Sequence, residues 1–166
     1  MQENVWLVRV IAVASAAAAI ALVAMMLVTV ADVALANLLK RPIIGAYDLV
    51  ESTLIVSVFL GIPATFLRNG NIVVDVVDFF VSPATVRRLK VLAEIATLVF
   101  LVLLLYNMIT PALDAYKFGG KKQELGLPLW VLWLPMLLGV LLAALAVLAV
   151  LYRLVRSRGA PDIEKP

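Results

Sequence analysis

The chain contains no cysteine and no histidine, and only 15% of its 166 residues are charged. The missing Cys and His exclude disulfides, zinc clusters, iron–sulfur ligation and bis-His haem, and with them most redox chemistry. The scarcity of charge, against roughly 25% in soluble domains, excludes an ordinary water-facing surface. What fills the chain instead is apolar: 64% of residues are hydrophobic and the mean hydropathy is +1.09, so it is an integral membrane protein. At about 20 residues per span there is room for a few spans in one membrane domain, 1–166, and no separate soluble domain. The net charge of +3 comes from basic residues in short connections. With no basic stripe interleaved with aromatics, it indicates topology and lipid contact, and nucleic acid is not expected as a partner. No catalytic residue, metal or cofactor is expected either.

Four runs carry no charge at all: 10–31, 52–67, 95–113 and 125–152. The fold class they imply is all-α integral membrane. Four transmembrane helices are expected at about 8–38, 47–67, 83–113 and 125–156, tilted, with a tail over 157–166. The ALA at 34–36 resembles a signal-peptide cleavage site, but the preceding apolar run of 22 residues exceeds the roughly 7–15 of a signal h-region, so a retained helix is expected. The second run is short. It becomes a comfortable span when extended back toward Tyr47, which puts Asp48 and Glu51 in its first turn, where carboxylates complement the helix dipole. The fourth, at 28 residues, is about 42 Å of helix against a core of about 30 Å, and must tilt, protrude or bend near Pro135.

Between the second and third spans, NIVVDVVDFF at 71–80 sets Ile72, Val73, Val76, Val77 and Phe80 on one helical face and Asn71, Asp75 and Asp78 on the other. This is the pattern of a short amphipathic helix in the membrane interface. Ser82 then offers an N-cap and Pro83 a first helical residue for the third span.

Lys and Arg number nine on the side of the N-terminus, the 68–94 connection and the tail, against five on the other. Both termini are therefore expected in the cytoplasm. On that side Arg87, Arg88, Lys90, Arg153 and Arg156 are candidates for lipid headgroup contact, although plain positive-inside topology also accounts for the tail arginines. Small residues recur every four positions at Ala12 and Ala16, at Ser57, Gly61 and Thr65, and at Gly139 and Ala143. These are candidate close approaches between helices or to a partner chain, although alanine-rich helices produce such spacing by chance. Trp130 and Trp133 fit an interfacial aromatic belt.

Asp48 and Glu51 raise the question of an ion or proton site. With the topology above they lie at the periplasmic end of the second helix, near Asp32 and Asp114, with Lys40, Arg41 and Lys117 on the same side. A carboxylate at a helix centre costs about 2.5–3.5 kcal/mol, and far less at the interface. A structural role is therefore expected over an ion site. Asp32, Asp48 and Glu51 are read as partner or interhelix contacts, with Glu51 the deeper of the pair and Asp48 at the exposed helix N-terminus.

The residues themselves resemble a family. A Gly-x-Tyr-acid-Leu segment opens the second helix (Gly45, Tyr47, Asp48, Leu49, then Glu51), and Pro63 stands near that helix's end. Gly70, Ile72, Val74 and Asp75 follow, and LGLPLW precedes the last helix. In that order and spacing, over nearly the whole chain, they are similar to the small membrane subunit of tripartite ATP-independent periplasmic (TRAP) transporters. The departure is Asn71, where many relatives carry a His. The resemblance implies a bacterial inner-membrane scaffold subunit with a large multi-span permease and a periplasmic substrate-binding protein as partners. The permease would carry substrate and sodium, and the system would import an organic anion.

A different class, an autonomous small proton-coupled antiporter, would need a carboxylate near the bilayer midplane. The first, third and fourth charge-free runs have none, and Glu51 stands only at the entry of the second. A structural assembly subunit of another membrane complex is left open by composition alone.

Overall fold

In the computed structural model, residues 5–67 and 83–156 are described. The interfacial helix expected over 71–80 and the tail over 157–166 lie outside them. Four helices make up nearly all of the rest: α1 Val5–Leu39, α2 Ala46–Leu67, α3 Pro83–Phe118 and α4 Leu129–Arg156. All four are long and apolar enough to cross a membrane, and this is a multi-pass membrane protein. At 1.5 Å per residue, α1 and α3, of 35 and 36 residues, are each over 50 Å long, well beyond a hydrocarbon core of about 30 Å.

The ends differ from expectation in two instructive places. Helix α3 runs through Pro111 to Phe118 instead of ending near 113. A proline removes one backbone bond, and membrane helices tolerate it where neighbouring groups and small local adjustments re-satisfy the freed carbonyl. Helix α4 begins at Leu129 instead of 125. The four residues before it belong to a loop whose amide groups are bonded elsewhere, as shown below.

The helices do not close into a bundle. Among the described residues α1 packs on α2, α2 on α4 and α4 on α3, with only a marginal approach of α1 to α4. The order in space is thus α1, α2, α4, α3, an open row. Its inner members are sealed by small residues. Gly139 of α4 lies so close to α2 that an added Cβ would stand 2.1 Å from the Phe59 carbonyl oxygen. Ala143, Ala146 and Val147 below it are fully buried. Leu101 and Met108 of α3 pack on Val140, Ala143, Ala144 and Val147 to form one core cluster, and Ala14 and Ala18 of α1 meet Leu60 and Leu142 in a second. Gly61 of α2 would bring a Cβ to 3.8 Å from that of Ala18. In lipid, where chain tails are as apolar as Leu, such close packing replaces hydrophobic exclusion as the cohesive term.

On α1 the buried stripe is Ile11, Ala14 and Ala18, whereas Ala12 and Ala16, the pair expected from spacing, are exposed, as is Thr65 on α2. Ser57 is half-buried. Alanine recurs at many positions along α1, so four-residue spacing alone does not select the face that meets α2. The outer helices α1 and α3 keep large apolar side chains such as Val13, Ile20, Leu92 and Phe100 exposed, an arrangement suited to lipid or to another membrane chain.

Candidate functional site

The carboxylates that raised the question of an ion site gather at one end of the row, around the loop between α3 and α4. Gly119, with φ +65°, ends α3 in the left-handed conformation that glycine adopts without a Cβ penalty. The chain then folds back on itself. Leu129 N–H donates to the Gly120 carbonyl at 2.8 Å, Lys122 N–H to Leu127 at 2.8 Å and Gly126 N–H to Lys122 at 3.0 Å. This narrow loop, crossed by a single bridge between Lys121 and Pro128, carries Glu124 and Leu125 to the N-terminus of α2.

There Asp48 receives it. Its Oδ2 accepts the backbone N–H of Glu124 at 2.9 Å and of Leu125 at 3.0 Å. In return, Glu124 Oε2 accepts the backbone N–H of Gly45 at 3.0 Å. Each segment thus supplies a carboxylate to the orphan amides of the other, as a capping box does within one helix. Gly45 is required twice. Its φ is +83°, and a Cβ there would stand 2.4 Å from the Leu125 side chain. One turn further along α2, Glu51 forms an ion pair with Lys122, whose side chain is only 11% exposed against 39% for Glu51.

The exposure expected of Asp48 at the helix N-terminus is not found. Asp48 is 4% exposed and is the buried acidic residue among those described, while Glu51 is half-buried. Placement in the first turn suggested exposure for Asp48, but the loop from between α3 and α4 folds over that turn and removes it from solvent. Asp32 lies at the same end, near the close of α1, and its Oδ1 accepts the Ile43 N–H at 2.7 Å, tying the α1–α2 connection to α1. Beside the loop Tyr116 meets Trp130 edge to face at 6.0 Å.

Chemically this is a clasp. Among the described residues no buried side-chain nitrogen or oxygen lacks a partner, and no three metal-ligating side chains converge. Glu124 and Lys122 were not singled out from sequence. Their only signal is an acid and a base within the KKQELGLP turn, ahead of Gly126 and Pro128. Of the small residues marked as contacts, Gly139 and Ala143 are spent within the chain, on the α2–α4 and α3–α4 packing.

At the opposite end, where α3 starts and α4 finishes, exposed Arg87 donates to the Leu154 carbonyl at 2.9 Å. Arg156 donates to the Tyr152 hydroxyl at 2.9 Å, with its guanidinium 5.8 Å from that ring's centroid. Arg88 and Lys90 are exposed on the first turns of α3.

No curated protein matches the chain. A family model does, over residues 25–157: the DctQ component of tripartite ATP-independent periplasmic transporters. The match takes in the close of α1, all of α2 and α3, the clasped loop and α4, well over half of the chain. Families of this kind are transporter components and not enzymes, and they work with a large permease and a substrate-binding protein. With its four helices long and apolar enough to cross a membrane, and matched over residues 25–157, the chain belongs to the DctQ family, the small permease component of TRAP transporters.

Proposed function

We propose that this chain is the scaffold subunit of a sodium-coupled, binding-protein-dependent secondary transporter in a bacterial inner membrane, with both termini in the cytoplasm. It braces the large permease, which carries substrate and sodium, and the system imports an organic anion such as a carboxylate or sialic acid. The observation that carries this reading is the placement of the acids. Asp48 is engaged by two backbone amides, Glu124 by a third, Asp32 by a fourth and Glu51 by Lys122, all at one end of the helices. A coupling site needs ionisable groups near the midplane, and the charge-free runs 10–31, 52–67, 95–113 and 125–152, the third of them bounded by Glu94 and Asp114, supply none. The exposed apolar faces of α1 and of the middle of α3 around Phe100, away from Leu92, are the surfaces on which the permease would seat. Membrane lipids are the remaining partners, at the basic end.

The test is reconstitution. The chain alone in liposomes should give no sodium-dependent uptake, and the chain with its large permease and the loaded binding protein should give it. Robust proton-driven flux by the isolated chain would overturn the reading in favour of an autonomous antiporter.

A further inference from the structure

Between the first turns of α3 and the last turns of α4 runs an open groove of about 500 Å³, with Arg87 and Arg88 at one side and Leu92, Ile95, Leu154 and Val155 among its walls. Its lining has the composition of an amphiphile: two arginines among otherwise apolar side chains, with no carboxylate among the lining residues. The Arg87 guanidinium is held in place by its bond to the Leu154 carbonyl at 2.9 Å. A guanidinium presents five N–H donors in a fixed fork, so that bond orients it without exhausting it. A fork of this kind matches the oxygens of a phosphate diester.

We propose that this groove is a binding site for one anionic phospholipid, whose headgroup phosphate sits on Arg87 and Arg88 and one of whose acyl chains lies along Leu92 and Ile95. The charge complementarity and the apolar walls select a lipid over a free anion, which would leave the trough unfilled. The site rests on the lipid contact proposed above but not on transport, so its failure would leave the scaffold reading standing. It also divides the basic residues of this end. Arg156 is turned to Tyr152, and Lys90, Arg153 and Arg156 do not line the groove.

The experiment is native mass spectrometry of the full chain, purified in mild detergent and titrated with dioleoylphosphatidylglycerol or dioleoylphosphatidylcholine. The wild-type chain should retain one phosphatidylglycerol in preference to phosphatidylcholine. Arg87→Gln with Arg88→Gln should weaken that retention by roughly fivefold for each charge removed. Leu92→Trp, which keeps both charges and fills the trough, should also weaken it, and decides the question if the double variant does not fold. Arg153→Gln with Arg156→Gln should leave it unchanged. The proposal is overturned if the Arg87 and Arg88 variant or Leu92→Trp binds as wild type, or if the Arg153 and Arg156 variant loses as much, which would mean diffuse attraction. Photocrosslinking from position 92 in the assembled complex should capture lipid, and capture of the large permease there would equally overturn it.

Discussion

Asp48 and Glu124, 76 residues apart in the chain, each accept backbone amides from the other's segment. The α3–α4 loop is thereby fastened to the start of α2, and the polar groups that the membrane end would otherwise leave open are used up on one another. Hydrogen bonds to a charged group contribute about 1.5–3 kcal/mol each, and more is lost when a buried donor is left unmade. Asp48→Ala abandons two amides at once and should destabilise the chain by about 3 kcal/mol or more. Asp48→Asn keeps an acceptor oxygen and should lose clearly less. Thermal unfolding in detergent would measure both, and an alanine variant as stable as wild type would mean that the clasp does not hold the loop.

Gly139 allows α4 to touch the backbone of α2 at Phe59. Overpacking a tight contact costs about 1–3 kcal/mol for added methylenes, and here the obstacle is a carbonyl, which does not rotate away as a side-chain tip does. Gly139→Leu should separate the two helices and lower the melting temperature more than Gly61→Leu, since at Gly61 an added Cβ meets only Ala18 at 3.8 Å. The reverse order would show that α2 and α4 are not packed this closely.

The Glu51–Lys122 pair is asymmetric, with the lysine the less exposed partner. Removing one member of a buried pair strands the other's charge. Glu51→Gln leaves a mostly buried ammonium without its counter-charge, whereas Lys122→Met leaves a half-exposed carboxylate that water can reach. Glu51→Gln should therefore destabilise the purified chain more than Lys122→Met. In the assembled transporter it should lower complex yield while leaving the sodium dependence of uptake unchanged. A changed apparent sodium affinity in a complex that assembles normally would place Glu51 in the coupling machinery.

Nine Lys and Arg on one side against five on the other predict, by the positive-inside rule, that both termini are cytoplasmic. A reporter fused after Pro166 should be active in the cytoplasm and silent in the periplasm. The opposite result would turn the clasp to the inner face and the lipid groove to the outer one.

The number of spans and the likeness to TRAP small subunits were legible in the sequence. The physical reason is that a bilayer imposes one length of uncharged chain per crossing, and that length is counted directly. Which faces meet was not legible. Helix α1 is apolar all round, so the 3.6-residue periodicity that marks the inner face of a soluble helix is silent, and spacing pointed to Ala12 and Ala16 where packing uses Ala14 and Ala18. Nor did the sequence decide that Asp48 is buried and Glu51 half-exposed, because local rules see only two acids near the start of one helix, Asp48 in its first turn and Glu51 just beyond. That assignment belongs to the tertiary structure alone. It depends on a loop from the far side of α3, whose amides need an acceptor and find the nearest carboxylate at the start of α2.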